Sequence, residues 1–214
     1  MSNHSAYRKF VDRLSKTKDS AREKSTKKRK SLGLRTAREN LDDLVDPGSF
    51  LEFGAFAVAA QRNRRDYEEL QLETSADGIL TGFCNINEDE VGEDNSHAAA
   101  IIYDYSVLAG SQGFFHHQKL DRICEKAEEF SLPVVIFTEG GGGRPGDTDV
   151  TTQIAGLHIP SFSTWARLTG KCLKIAVNNG YCFAGNAVLF GCSDFMIATK
   201  QSWIGMAGPA MIEG

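Results

Sequence analysis

The stretch Phe137-Thr138-Glu139-Gly140-Gly141-Gly142-Gly143-Arg144-Pro145-Gly146-Asp147 decides the fold of this chain. It directly follows the apolar run Pro133-Val134-Val135-Ile136, and we interpret the two together as a buried strand that enters a turn without side chains. Glycine has no Cβ atom, so it adopts positive φ and lets another molecule lie against the main chain. Successive N–H groups of such a turn can point outward together. The turn therefore predicts a pair of backbone donors suited to an oxyanion or an enolate.

Two other interpretations of the glycine run are disfavoured. A flexible linker has Ser and polar flanks, whereas this run lies between an apolar strand and the charged, proline-containing segment 144–147. A phosphate-binding loop would continue as Gly-Lys-Ser/Thr or show the G-x-G-x-x-G spacing at the start of a helix. The sequence has neither pattern at this place.

Strands and helices alternate around this turn. Residues 117–130 place apolar side chains on one helical face, namely Leu120, Ile123, Cys124, Ala127 and Phe130. We then expect a strand at 133–138, a helix at 156–168 that breaks near Pro160, a strand at 172–177, a short helix at 185–192 and a strand at 195–199. This alternation predicts an α/β fold. A second glycine-bearing turn, 179–186, also follows a strand, and ligands of open α/β sheets bind at the carboxyl ends of strands.

The amino-terminal half predicts smaller elements. Residues 5–34 suggest a short amphipathic helix and a charged helix that form an arm outside the core. Residues 35–45 predict a helix with Leu41, Leu44 and Val45 inward, ended by Asp46-Pro47-Gly48. We interpret 62–74 as a loop, and strands near 77–84 and 98–105 as a hairpin around the acidic loop 87–95.

Composition and charge exclude several classes of protein. No apolar run approaches the ~18 to 20 residues that span a bilayer, and the amino terminus lacks a signal-peptide segment, so we expect a cytoplasmic protein without a membrane partner. Five cysteines without a C-x-x-C spacing argue against disulfides and zinc ribbons. The adjacent pair His116-His117 points in two directions on a helix, so we predict no metal site.

The net charge of −4 hides a basic amino-terminal arm. Residues 1–38 contain thirteen Lys and Arg against three acidic residues, whereas the remainder has eleven basic and twenty-five acidic residues. A run such as 24–30 suits nucleic acid or a phosphate-bearing ligand. Such a run is more often a solvated helix face, which is the interpretation we favour.

Several motifs together resemble the biotin-dependent acyl-CoA carboxyltransferases, the β-subunit type of acetyl-, propionyl- and methylcrotonyl-CoA carboxylases. The similarity runs from about Leu34 to the last residue. It is carried by the glycine turn and by Thr36-Ala37-Arg38-Glu39, Asp46-Pro47-Gly48-Ser49-Phe50, Asp77-Gly78-Ile79-Leu80-Thr81-Gly82, Asp104-Tyr105-Ser106-Val107-Leu108-Ala109-Gly110-Ser111 and Gly208-Pro209-Ala210-Met211-Ile212-Glu213-Gly214. The resemblance implies a crotonase-like fold, a repeated ββα superhelix over residues 34–214, behind a basic helical arm at residues 1–33.

The resemblance also implies a reaction and its residues. Family members transfer carboxylate from N-carboxybiotin to the α-carbon of a CoA thioester through an enolate, with biotin carried on a partner domain and no metal. Carried over to this sequence, the catalytic amides are those of Gly141, Gly142 and Gly143, with Ala184 and Gly185 in the second turn. The implied acyl-CoA contacts are Arg38, Gly110, Arg144, Phe183, Met206, Ala207, Gly208 and Pro209. Arg38 and the arm would meet the phosphates or the adenine of CoA.

This chain departs from the family pattern in two respects. Many members have Ser-Gly-Gly-Ala-Arg where this chain has Gly140 to Arg144, so we do not carry over the acyl specificity of those members. The family also has a second, biotin-binding crotonase domain, which these 214 residues lack. We therefore expect an amino-terminal, acyl-CoA-binding half, either a truncated chain or one piece of a split transferase, that turns over poorly alone. Its implied partners are that missing carboxyl-terminal domain, a biotin carboxyl carrier, a biotin carboxylase component and further copies in a homo-oligomer.

Two other functions compete with this hypothesis. A crotonase-type hydratase or an acyl-CoA decarboxylase subunit would keep the fold and change the chemistry, and a hydratase needs an acid/base group for which Glu139 is the obvious candidate. A basic-armed nucleic-acid-binding protein would not be an enzyme at all. The sequence lacks interleaved aromatic residues, zinc-ligand spacing and a reader helix, so we predict no nucleic-acid partner.

Overall fold

The computed structural model describes residues 2–150 and 159–208. Its helices are α1 Ser2–Ser15, α2 Glu23–Ser31, α3 Ala37–Leu44, α4 Tyr67–Glu73, α5 Glu88–Val91, α6 Glu93–Ser96, α7 Phe114–Phe130, α8 Ser161–Arg167 and α9 Gly185–Gly191. Its strands are β1 Leu51–Phe53, β2 Ile79–Asn85, β3 His97–Tyr103, β4 Val134–Phe137, β5 Lys174–Asn178, β6 Tyr181–Phe183, β7 Phe195–Ala198 and β8 Trp203–Gly205. Single 3-10 turns lie at Asp19–Ala21, Ser75–Gly78 and Leu108–Gly110.

The main sheet has the strand order β1-β2-β3-β4-β5-β7. The first three strands are antiparallel, and the predicted hairpin is confirmed, with Ile79 opposite Tyr103. From β3 to β7 the neighbours are parallel, as expected for strands joined by helices. Because parallel strands end at the same edge, the glycine turn after β4 and the second turn after β5 leave the sheet side by side.

The core occupies both faces of this sheet because β3 alternates its side chains. Ala99 and Ile101 belong to a cluster with α7, α8 and α9, whereas Ala100 and Ile102 face α3. Helix α7 buries the predicted residues Leu120, Ile123, Cys124 and Ala127. Its last residue, Phe130, differs from the prediction. The residue is 55% exposed, although its ring contacts that of Phe83 on β2, with centroids 5.8 Å apart.

Two local predictions need correction, and one small sheet was not predicted. Segment 62–74 contains helix α4, and not only a loop, and Leu70 and Gln71 of this helix are buried. The acidic segment between β2 and β3 forms the one-turn helices α5 and α6. Strands β6 and β8 pair as a separate two-stranded parallel sheet. Three-residue strands are too short to produce a recognisable alternation in the sequence.

The basic arm is docked on the domain by buried ion pairs. Arg22 Nη1 donates to Asp104 Oδ2 at 2.7 Å, and the guanidinium of Arg29 contacts the carboxylate of Glu139. Thr36 and Glu39 form a capping box at the start of α3. The boundary between residues 33 and 34 stays a prediction, and strong contacts cross it. None of the helices within residues 2–150 and 159–208 is long and apolar enough to cross a membrane.

Candidate active site

The two glycine turns predicted from the sequence are in direct contact. We call residues 140–144 the first turn and residues 183–185 the second turn. The Gly140 N–H donates to Tyr181 O at 2.7 Å, and the Phe183 N–H donates to Gly140 O at 2.9 Å. A Cβ atom on Gly142 would lie 2.7 Å from the Cβ of Ala184. A side chain at that position would therefore push the turns apart.

Asn186 joins the turns from below, a role that was not predicted. Its side chain is fully buried. Its Oδ1 accepts from the Gly142 N–H at 3.0 Å, and its Nδ2 donates to Thr138 O at 3.1 Å. Buried amide side chains are almost always paired. An Asn directly after a glycine turn was the available signal, but its partners lie more than forty residues away in the chain.

The hydrogen bonds of the turns distinguish used amides from free ones. The Gly141 N–H donates to Ala109 O at 2.9 Å and the Ala184 N–H to Gly205 O at 3.1 Å, whereas Gly142 donates to Asn186. Among the residues that the structure describes, no acceptor contacts the N–H of Gly143 or of Gly185. Each turn therefore retains one of its predicted donors.

A left-handed turn supports the first turn from the other side. Leu108, Ala109 and Gly110 have φ of 47°, 57° and 62°, and left-handed backbone costs a non-glycine residue about 1 to 2 kcal/mol. This turn directs Ala109 O to the Gly141 N–H. A Cβ on Gly110 would lie 2.8 Å from the Cα of Gly140. Gly110, predicted to bind substrate, thus lies beneath the first turn.

Arg144 is buried in a polar cluster at the end of the first turn. Its Nε donates to Ser111 Oγ at 3.1 Å, its Nη2 to Ser111 O at 2.6 Å, and its Nη1 pairs with Asp77. Burial raises the pKa of the Asp77 carboxyl, and the Arg144 guanidinium opposes that rise. Each guanidinium nitrogen already has a protein acceptor. This arrangement makes Arg144 a support of the turn and does not favour the predicted contact with acyl-CoA.

The predicted acyl-lining residues gather beside the second turn. The ring of Phe183 is stacked on Tyr181, with centroids 5.7 Å apart, and a Cβ on Gly208 would lie 3.9 Å from that ring. Ala207 is half-buried and Met206 is 68% exposed. Pro209 lies outside the described residues.

Arg38 lies apart from both turns. Its guanidinium forms a bidentate pair with Glu52, at 2.7 and 3.0 Å. It lines an open groove of about 840 Å³ whose walls come from α1, the turn at Asp19, α3 and β1, with no residue of either glycine turn. The phosphate role of Arg38 stays a prediction, and its pairing with Glu52 does not favour it.

The two adjacent histidines are neutral packing groups on α7. Burial lowers the pKa of His117 to about 4 and that of His116 well below its usual value, and the charge of Arg144 acts in the same direction. His117 Nδ1 lies 2.9 Å from Ser161 Oγ. Within the described residues, no group of three or more His, Cys, Asp and Glu could hold a metal ion.

Comparison with solved structures defines the class of this protein. A single-chain, multi-domain long-chain acyl-CoA carboxylase matches with a TM-score of 0.90 and 49% identity, over 98% of this chain and 20% of that one. The transcarboxylase 12S hexamer, solved with methylmalonyl-CoA and methylmalonic acid bound, matches with a TM-score of 0.81 and 27% identity, over 100% of this chain and 39% of that one. The fold is crotonase-like, as the sequence predicts.

Residues 28–214 match the carboxyl transferase domain, and the chain belongs to this family. A curated relative, the methylmalonyl-CoA carboxyltransferase 12S subunit of Propionibacterium freudenreichii subsp. shermanii, is 31% identical over 192 residues. That match covers 89% of this chain and 34% of the relative. The chain thus spans about one third of the length of this relative and of the long-chain acyl-CoA carboxylase beta4 subunit of Mycobacterium tuberculosis, which it also matches. The predicted family resemblance is confirmed.

Proposed function

We propose that this chain is the acyl-CoA-binding part of a biotin-dependent carboxyltransferase, and that it holds the enolate of the acyl-CoA by two backbone amides. The observation that carries this proposal is the pairing of the two turns. Their contact leaves the N–H groups of Gly143 and Gly185 without an acceptor among the described residues. The first turn supplies one donor and the second turn supplies the other.

These amides match the charge that carboxyl transfer creates. When the α-carbon of a CoA thioester loses a proton, the thioester oxygen takes on negative charge, and preorganised donors stabilise it most in a water-excluded site. Asn186 and the carbonyl of Ala109 fix the first turn, so its donor needs no rearrangement when the charge develops. Loss of one such donor typically costs about 3 to 4 kcal/mol of barrier.

The remaining parts of the reaction belong to partners. Carboxybiotin on a carrier domain would supply the carboxyl group, and we assign no described residue of this chain to biotin. We propose that the active site is completed by a second crotonase-like domain, from this protein or from another copy. The 12S relative is a hexamer, which supports an oligomeric enzyme here.

Of the competing functions, the hydratase is disfavoured because its candidate acid/base group, Glu139, is buried and paired. Glu139 is 3% exposed and its carboxylate is held by Arg29 at 2.6 and 2.8 Å, so it cannot reach a substrate in this arrangement. An acyl-CoA decarboxylase subunit would form the same enolate and use the same amides. The two are distinguished by supplying the biotin carrier: carboxyl transfer needs a carboxylated carrier as donor, whereas decarboxylation needs a free one as acceptor.

The proposal is tested by replacing Gly143 with proline and with alanine. Gly143→Pro removes the donor, whereas Gly143→Ala keeps it, and an added Cβ meets no atom within 4 Å. We expect calorimetric titration with propionyl-CoA to give wild-type affinity for the alanine variant and at least tenfold weaker binding for the proline variant. In the assembled carboxylase, the proline variant should lose roughly two to three orders of magnitude in kcat.

The controls are free CoA and circular dichroism of both variants. Equal affinity and equal kcat in the folded proline and alanine variants would exclude the Gly143 amide from the site. Failure of the wild type to bind acyl-CoA even with the carboxyl-terminal domain of a relative added would contradict the proposed function.

A further inference from the structure

The docked arm reaches the first glycine turn through one buried side chain, Arg29. It lies on α2, in the segment that the charge pattern assigns to a solvated face, yet it is 6% exposed. Its Nη1 donates to Glu139 Oε1 at 2.8 Å and its Nη2 to Glu139 Oε2 at 2.6 Å. Its Nε and Nη2 also donate to Arg35 O at 3.1 and 2.8 Å. The guanidinium lies over the ring of Tyr105, 5.7 Å from its centroid.

Glu139 transmits this contact because it lies at the junction of both turns. It lies two residues after the end of strand β4 and directly precedes Gly140. Its carboxylate lies against Gly180, where any Cβ would collide with it, and Gly180 leads into the second turn through β6. The Glu139 side chain thus lies between the segments that lead into the two turns.

Such a pair is costly unless it is complete. Two charges that are removed from water lose their hydration, which costs free energy. A bidentate pair of arginine and carboxylate offsets this cost only with good geometry and further hydrogen bonds. Removing one partner leaves an uncompensated buried charge. A pair of this kind is weak evidence for added stability, but it fixes the carboxylate in one place.

We propose that Arg29 is a positioning residue for the acyl-CoA site: it holds Glu139 between the two turns and thereby fixes the amides of Gly143 and Gly185. This inference rests on the proposed function of those amides. It assigns the basic arm a structural connection to the site, in place of a direct contact with CoA phosphates. Arg29 itself touches no substrate.

The test compares four variants, Arg29→Met, Arg29→Lys, Lys28→Met and a double variant, by hydrogen exchange and by ligand binding. Arg29→Met breaks the pair, and Lys28→Met removes one charge from an exposed neighbour on the same helix as the control. The double variant Arg29→Met/Glu139→Met removes both charges, which buried pairs often tolerate with little loss of stability. We follow exchange in peptides that cover 138–144 and 183–187, and we use the β3 peptide as the reference for global opening.

We expect the double variant to keep wild-type exchange in β3 while the turn peptides exchange at least tenfold faster. Its propionyl-CoA affinity should fall at least fivefold, and its kcat in the assembled enzyme should fall as well. Lys28→Met should match wild type in every measurement. Arg29→Lys should restore part of the turn protection, because it keeps the charge and loses the bidentate geometry.

Wild-type exchange in both turn peptides of the folded double variant would overturn the positioning role, whatever the ligand does. Hydrogen exchange is measured without acyl-CoA. If the wild type fails to bind acyl-CoA, that failure contradicts the proposed function, whereas the exchange result still decides the positioning role. If both charges are removed and binding weakens while the turns stay protected, Arg29 acts by another route and the inference is also wrong.

Discussion

At the scale of single residues, the site depends on side chains that organise backbone. Asn186 is the clearest case, because one amide side chain satisfies the N–H of Gly142 and the carbonyl of Thr138. It therefore occupies the Gly142 amide, whereas the Gly141 amide is occupied by the carbonyl of Ala109. The same logic applies to Ser111, whose hydroxyl and carbonyl both accept from Arg144.

We expect Asn186→Ala to lower the free energy of unfolding by about 1 to 3 kcal/mol, since it leaves two buried polar groups without partners. It should also weaken acyl-CoA binding, because the Gly142 amide becomes free to turn toward solvent. Urea denaturation and calorimetric titration measure the two effects. Asn95→Ala, at an exposed helix end, is the matched control. Unchanged stability in Asn186→Ala would show that water replaces the side chain.

Pairing across the fold limits prediction at this scale. The glycine run and the second turn were predicted as site residues because local sequence marks them. Their long-range partners were not, since the Gly142 amide is paired with a residue forty-four positions away and the carboxylate of Glu139, beside the first turn, with one 110 positions away. The spacing of residues along the sequence does not indicate contacts between residues so far apart. The basic run was interpreted as solvated, although one of its members is buried.

At the scale of elements, the long periodic segments were predicted and the short ones were not. Helix α7 has four apolar residues at helical spacing, so the prediction of its buried face is confirmed. Helix α4 has one fully buried apolar residue, Leu70, and gave no period. Strands β6 and β8 have three residues each, and tertiary pairing alone makes them strands. These short elements carry the second turn.

The contact between α7 and α8 predicts a dependence of stability on pH. His117 on α7 bonds Ser161, the first residue of α8, and burial lowers its pKa to about 4. The unfolded chain takes up this proton near its ordinary value of about 6.5, whereas the folded chain does not. The contribution of His117 to the free energy of unfolding is therefore complete above about pH 7. It is lost as the pH falls from 7 toward 4, by up to ~3 kcal/mol.

The measurement is urea denaturation at intervals between pH 7.5 and 5, on wild type and on His117→Gln. The variant should show a shallower loss of stability because one depressed titration is removed, although His116 still contributes. His97→Gln, at an exposed position, is the matched control for loss of a histidine. If the free energy of unfolding falls with pH at the same rate in wild type and in His117→Gln, His117 does not cause the pH dependence.

At the scale of the whole molecule, the described sheet has one strongly apolar edge. Strand β7 pairs with β5 on one side, and within residues 2–150 and 159–208 no strand pairs with its other side. Phe195, Met196 and Ile197 are exposed by 60%, 53% and 54%. Consecutive strand residues point to opposite faces, so both faces of this strand expose apolar surface. Unpaired apolar edges of this kind promote association between chains.

We therefore expect the 214-residue chain alone to self-associate through β7. Light scattering coupled to size exclusion should show a mass that rises with protein concentration. Ile197→Lys should reduce that rise, because a charge on an edge strand opposes strand pairing. The added charge is not buried, since the side chain of residue 197 is already half exposed. Leu32→Lys, on an equally exposed apolar residue of the arm, controls for added charge; an identical effect of both variants would show that net charge, and not the β7 edge, governs association.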